Sequence, residues 1–307
     1  MSRVSLLYRI VEFAAARIGY KKIFRYNAEE LRGFLNKIKD KRNAGPPEYI
    51  RKKYNLTVET ICGKPCYIIA PKEKPASGRA ILFIHGGGYV MEAHPVHWRA
   101  ASLLVDRLVC PVWFPVYPLF PCYTIPDANA VITEVYAAML GRYRPQDINV
   151  LGDSAGAALA LTLCHHINKQ GNALPMPGKL VLVSPAMIVE DDQTILSEMR
   201  RLEPVDVMLA TPFFDSMRTL FKLDANRENY YNSMFYGDFS GFPSMHIFSG
   251  TFECVHPQVA AFAGRLNDEG IKAAWYPGER MMHIWPYIPF APECKQALEK
   301  IFEIIRK

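Results

Sequence analysis

Near its start the chain repeats apolar side chains at helical spacing. Leu7, Ile10, Ala14 and Ile18 fall on one side while Ser5, Arg9, Glu12 and Ala16 hold the other, which predicts an amphipathic helix. Its apolar stripe is expected to lie on the body of the protein, with a membrane surface as the competing partner. Asn43 to Pro47, rich in Gly and Pro, closes this opening section, and residues 1–53 are read as a helical segment contributing to a cap.

The spacing then changes to short β-branched and aromatic runs: Leu56 to Ile61, Cys66 to Ala70, Ala80 to His85, Val112 to Tyr117, Ile148 to Gly152, Leu180 to Ser184, Met245 to Ser249 and Ala273 to Tyr276. These read as strands. After the first two, helical stretches alternate with them, at His97 to Leu108, Pro126 to Leu140, Ser154 to Lys169, Pro257 to Glu269 and Pro292 to Arg306. Alternation around continuously apolar strands predicts an α/β fold with a mostly parallel, eight-stranded sheet covered by helices on both faces. Residues 54–307 form this body. One section breaks the rhythm: residues 190–243 are too long for a simple crossover and read as an insertion. Its aromatic side chains, from Phe213 and Phe214 to Phe242, suit packing and the lining of an apolar cleft. With the N-terminal helices, it is expected to cap the sheet.

Composition narrows the class. Of 307 residues, half are hydrophobic and 21% charged, enough for a large core and against disorder. The net charge of +6 is uneven: residues 1–53 carry 14 Lys or Arg against 5 Asp or Glu, leaving the remainder at −3. No dense basic run or nucleic-acid motif accompanies this excess, so it reads as a solvated helical face and no nucleic-acid partner is expected. Arg9, Glu12 and Arg17 interrupt any signal-peptide core between Met1 and Phe24, and no later stretch approaches the ~20 continuous apolar residues of a membrane span. The seven cysteines lack a disulfide-like spacing. Cys62 and Cys66 have no second pair to complete a zinc site, so no metal is expected and a reducing, cytoplasmic setting is inferred.

Gly152-Asp153-Ser154-Ala155-Gly156 follows an apolar strand and opens a helix, the context of a G-x-S-x-G nucleophile elbow. A sharp turn there strains the Ser backbone, and flanking side chains would collide with neighbouring elements. His85-Gly86-Gly87-Gly88-Tyr89 also follows a strand; its bare backbone suits an oxyanion loop, with donors assigned to Gly87, Gly88 and Ala155. A phosphate-cradling loop would open a helix and be followed by Lys or Ser, whereas Tyr-Val-Met follows here. His85 is read as bracing the loop. A general base belongs on a late loop, after the acid in chain order; His283 is the last His and lies before the final helix. The acid should follow the strand ending at Ser249, where Glu253 stands in Gly250-Thr251-Phe252-Glu253, with Asp238 as the alternative. His165, His166 and His246 are read as structural, and His94 and His97 lack a third metal ligand.

These motifs, in this order and with Trp285-Pro286 after His283, resemble the hormone-sensitive-lipase-like family of α/β-hydrolases, which includes bacterial carboxylesterases and arylacetamide-deacetylase-type enzymes. The resemblance covers residues 55 to 307. It implies an α/β-hydrolase fold, hydrolysis of carboxylic esters through an acyl-enzyme, no cofactor, and a cap that shapes the acyl pocket. The chain departs from the family where Ala157 replaces Gly, Glu253 replaces Asp, and Tyr117-Pro118-Leu119-Phe120-Pro121 replaces Tyr-Arg-Leu-Ala-Pro. The expected substrate is a small-molecule ester with a short to medium acyl or aryl group. An amidase or peptidase with the same triad, a binding protein on a hydrolase scaffold, and a lipase docked by its basic N-terminus remain alternatives, and a homodimer is left open.

Overall fold

Strands buried on both faces read as near-continuous apolar runs, and the middle of this molecule is built from such strands. The computed structural model describes residues 4–39, 45–73, 75, 78–171, 173–224, 226 and 228–307. Its sheet contains β1 (Asn55–Ile61), β2 (Lys64–Ala70), β3 (Ala80–Ile84), β4 (Val112–Pro115), β5 (Ile148–Asp153), β6 (Lys179–Val183), β7 (Ser244–Gly250) and β8 (Ala273–Gly278). Their spatial order is β1-β2-β4-β3-β5-β6-β7-β8. The β1–β2 and β2–β4 pairs are antiparallel and every later pair is parallel. Every residue of β3 and β5 is buried, whereas edge strand β1 leaves several side chains in solvent. Each predicted strand is present with ends within two residues of those expected.

The two-residue period of the strands divides the core. Ile81, Phe83, Leu151 and Val181 face one side, under α5 (Pro95–Leu108) and α11 (Pro292–Arg306). Leu82, Ile84, Val150 and Leu180 face the other, under α6 (Ile125–Leu140), α7 (Ala155–Lys169) and α10 (His256–Asp268). Parallel strands put their carboxyl ends at one edge, so the loops after β3, β5, β7 and β8 converge there.

That edge is covered from two places in the chain. The N-terminal section supplies α1 (Leu6–Ile18), α2 (Tyr20–Phe24) and α3 (Ala28–Ile38), followed by α4 (Glu48–Lys53). The stretch between β6 and β7 supplies α8 (Gln193–Leu202) and α9 (Pro212–Phe221). Both α2 and α3 pack on α9, with the Phe24 and Phe213 rings 4.7 Å apart. The Lys21 Nζ donates to the Glu203 and Asp206 carbonyls, and the Ser216 hydroxyl donates to the Tyr26 carbonyl at 2.8 Å. The aromatic side chains of the insertion divide by role. Phe213 and Phe214 reach the carboxyl edge, while Phe235 and Phe239 pack against Phe262 of α10.

The first helix forms where expected but is rotated from the expected orientation. Its packed side chains are Val4, Tyr8, Val11 and Ala15, and the stripe expected to be covered faces solvent, with Ile10 55% and Ile18 71% exposed. In the run Leu-Leu-Tyr-Arg-Ile-Val-Glu-Phe-Ala-Ala-Ala-Arg-Ile, apolar residues occur on nearly every side, so spacing alone does not choose a face. Tyr8 makes the choice: it is fully buried, and its hydroxyl accepts the Met282 N–H at 2.6 Å. Of the predicted closing turn, residues 43 and 44 lie outside the described residues, and Pro47 precedes α4. All seven cysteines are unbridged, and no helix among the described residues is long and apolar enough to cross a membrane.

Candidate active site

At the junction of β5 and α7, Ser154 adopts φ 51° and ψ −122°, a backbone conformation that costs a non-glycine residue on the order of 1–3 kcal/mol and recurs at functional sites. The turn is tight because its neighbours are bare. A Cβ on Gly156 would stand 2.1 Å from the Ile84 carbonyl oxygen, and one on Gly152 would stand 2.4 Å from that of Gly156. The Ser154 N–H is held by the Val183 carbonyl at 2.9 Å. As the first residue of α7, Ala155 presents an amide of the kind that has no partner within the helix, at the end where the helix dipole favours negative charge.

The loop after β3 lies directly against this turn. Gly87 and Gly88 have φ of 116° and 60°, and a Cβ on Gly88 would stand 2.6 Å from the Phe213 ring. Several contacts fix the loop from behind. His85 donates from Nδ1 to the Gly86 carbonyl at 2.6 Å, and the Tyr117 hydroxyl donates to the His85 carbonyl at 2.8 Å. The His85 and Tyr117 rings stack at 4.5 Å. Burial, reinforced by the nearby His97, lowers the His85 pKa to about 3, so it is neutral and serves as a brace.

His283 follows β8 in a loop held on two sides, by the Tyr8 hydroxyl at Met282 and by the Ser184 hydroxyl, which accepts the Ile284 N–H at 3.0 Å. Its Nδ1 donates to Glu253 Oε2 at 2.6 Å, and the other oxygen, Oε1, accepts the Gly250 N–H at 2.8 Å. Because a carboxylate only accepts, this contact fixes the proton on Nδ1 and leaves Nε2 with a lone pair. Burial works to lower the His283 pKa, but the Glu253 hydrogen bond and the charges of Glu253, Asp206 and Asp153 outweigh it and the net shift is upward. Glu253 is fully buried. Asp238 does not join this group: it is exposed and caps its own turn through the Ser240 N–H at 2.7 Å.

Ser154, His283, Gly87 and Gly88 line one cavity of about 190 Å³, walled chiefly by apolar side chains such as Ile18, Phe24, Met208 and Leu209. Adjoining it at Ser154 and Gly88, a much smaller space of about 20 Å³ is bounded by Ala155, Ile188, Phe213 and Phe214. The structure therefore gathers His283, Gly87, Gly88 and Ala155 around Ser154, with Glu253 behind the imidazole.

Two groups had no sequence signal. His97 donates from Nε2 to Asp153 Oδ2 at 3.1 Å, while its Nδ1 accepts the His94 N–H, so a histidine weighed as a metal ligand instead ties α5 to the elbow. Asp206 lies in the insertion, where Oδ1 accepts the Met208 and Leu209 N–H groups and Oδ2 accepts the Cys254 N–H, each at 2.8 Å. Burial raises the Asp206 pKa against the opposing effects of His283 and these donors. Only the fold brings residue 206 beside residue 254.

A strained Ser at a strand-to-helix turn, facing a buried His–carboxylate pair under a glycine loop, is the arrangement found in hydrolases that share this sheet. The model of a family described as alpha/beta hydrolase fold matches residues 81–286. The chain belongs to this family. An esterase of Acinetobacter venetianus is 28% identical over 249 residues, 76% of each chain. An acetyl-hydrolase of Streptomyces hygroscopicus is 26% identical over 225 residues, 72% of this chain and 73% of its own. The fold also matches the crystal structure of an esterase from the bacterial hormone-sensitive lipase family, with a TM-score of 0.79 at 22% identity over 100% of this chain and 99% of that one. The resemblance seen in the motifs is thus met across the whole α/β-hydrolase framework.

Proposed function

We propose that the chain hydrolyses carboxylic esters with short to medium acyl or aryl groups, using Ser154 as nucleophile, His283 as general base and Glu253 as the group that orients and stabilises the imidazole. The observation that carries this reading is the pairing of His283 Nδ1 with a fully buried Glu253, which reserves Nε2 for proton transfer beside a cavity shared with Ser154. The names of the esterase and acetyl-hydrolase relatives support the same chemistry.

In the first half-reaction His283 Nε2 takes the Ser154 hydroxyl proton as Oγ attacks the ester carbonyl. The oxygen that gains charge is held by the N–H groups of Gly87, Gly88 and Ala155. Collapse breaks the bond to the alcohol, which leaves with the proton from His283. Water, deprotonated by the same imidazole, then attacks the acyl-enzyme and releases the acid and free Ser154. These steps use only side chains and amides of the chain.

Two unequal spaces that both border Ser154 suit an ester with one compact end and one bulkier apolar end. In this reading residues 1–53 and 190–243 act together as the cap, joined by the Phe24–Phe213 contact and the Lys21 bonds, over a body of residues 54–307. The unbridged cysteines fit a cytoplasmic enzyme. The test is a burst assay with nitrophenyl esters of graded acyl length on the wild type and Ser154→Ala. A Ser154-dependent burst, largest for short chains, is expected; equal turnover by the variant refutes the assignment. Cleavage of the matching anilides in place of the esters would instead favour an amidase.

A further inference from the structure

The outer face of α1 is an exposed apolar feature that the active-site reading leaves unused. Leu6, Ile10, Phe13 and Ile18 are each more than half exposed, because Tyr8 turns the opposite side of the helix inward. Scattered apolar residues on a surface need no explanation, but a contiguous stripe on one helix does. Three observations indicate what it meets.

First, the charge around the stripe is mostly positive. Residues 4–26 carry Arg9, Arg17, Lys22 and Arg25 against Glu12, with Lys21 turned to the Glu203 and Asp206 carbonyls, and the Arg17 guanidinium lies over the Phe13 ring at 4.4 Å. Second, the stripe runs into the active-site cavity. Ile18, at the end of the stripe, lines that cavity beside Ser154 and His283, next to Ala15 of the packed face and Ile288. The next large apolar residue of the latter loop, Phe290, is 66% exposed. Third, α1 is anchored on two sides, to the loop that bears His283 through the Tyr8 contact to Met282, and to the start of α11 through the contacts of its N-cap Ser5 to Glu293. The helix is therefore a fixed rim of the cavity.

We propose that this face seats the chain on an anionic lipid surface, with Leu6, Ile10 and Phe13 entering the headgroup boundary and Arg9 and Arg17 meeting lipid phosphates. An amphipathic helix with apolar residues on one face and Lys or Arg around it binds such surfaces through apolar burial and charge together. A second copy of the chain is the poorer occupant, because an isologous contact would bring two equally basic patches together. Seated this way, the mouth of the cavity faces the lipid and an acyl chain reaches Ser154 without crossing bulk water. The inference rests on the ester-hydrolase reading only for that last step.

The test uses the full chain as its Ser154→Ala variant, so that binding is read without turnover. It is sedimented with phosphatidylcholine vesicles with and without phosphatidylglycerol. Binding is expected with phosphatidylglycerol and is expected to fall with added salt, which screens the basic side chains. In the same background Ile10→Asp/Phe13→Asp and Arg9→Gln/Arg17→Gln should each weaken binding about tenfold or more. In the active background both pairs should keep wild-type turnover of a soluble nitrophenyl ester, which shows that they fold, while losing turnover of an emulsified ester. Failure to bind phosphatidylglycerol vesicles, or unchanged binding by both double variants, overturns the proposal. So does sedimentation as a dimer that Ile10→Asp/Phe13→Asp dissociates without any vesicle binding, which identifies a second copy as the occupant. Loss of soluble-ester turnover by the wild type with vesicle binding intact would count against the hydrolase reading alone.

Discussion

Replacing Glu253 by Gln tests the proposed site at the point where hydrogen-bond directions decide the chemistry. In the wild type each carboxylate oxygen accepts one N–H, Oε2 from His283 at 2.6 Å and Oε1 from Gly250 at 2.8 Å. A glutamine has the same shape but only one acceptor. If its oxygen faces His283, its NH₂ opposes the Gly250 N–H, and two donors meet in a buried space. Leaving a buried donor unsatisfied costs about 1–3 kcal/mol. If the amide turns over, its oxygen serves Gly250 and its NH₂ donates to Nδ1, which satisfies every group but moves the imidazole proton to Nε2. The second arrangement is the stable one, and in it His283 cannot take the Ser154 proton. The analogous carboxylate-to-amide change in a serine triad lowers kcat by roughly 10⁴-fold. That loss corresponds to about 5 kcal/mol of transition-state stabilisation. The expected result for Glu253→Gln is therefore a loss of kcat on nitrophenyl esters of about that size, with the melting temperature close to wild type. Nitrogen NMR of the imidazole should show the proton moved from Nδ1 to Nε2. A variant retaining kcat within tenfold of wild type would refute the tautomer argument and with it the role given to Glu253.

Three further outcomes follow from the same geometry. Asp206→Asn removes a negative charge that favours the protonated form of His283, so the acid limb of the kcat/KM profile should move to lower pH; an unmoved limb shows that Asp206 serves only to hold its three N–H groups. Phe213→Ala opens the small space beside Ser154 and is expected to raise the hexanoate-to-acetate ratio of kcat/KM about tenfold while costing about 3–5 kcal/mol in a chemical melt, and an unchanged ratio would mean that Phe213 does not bound the acyl site. Burial lowers the pKa of His85 to about 3 and of His165 to about 4, so below the ordinary histidine value near 6.5 the unfolded chain binds protons that the folded chain excludes. Their contribution is complete above that value and is lost as pH falls towards 4, so urea midpoints should drop between pH 7 and pH 4.5, and a flat series contradicts the neutral burial of these rings.

Periodicity alone located all eight strands and the helices that alternate with them, because a two-residue or 3.6-residue rhythm is a local property written into consecutive side chains. The candidate nucleophile elbow and the glycine loop were equally legible, since each motif occupies five adjacent residues. Glu253 and His283 were found by chain order and by their place after particular strands, and the structure then put them 2.6 Å apart. Other features were settled by contacts between distant segments. The inward face of α1 was not determined by its own sequence, which is apolar on nearly every side, but by Tyr8 reaching the Met282 amide. His97 gained its partner from the elbow 56 positions away, and Asp206 met Cys254 across 48. A side chain that acts on its neighbours in the chain leaves a pattern in the sequence; one whose partner is brought to it by folding leaves none.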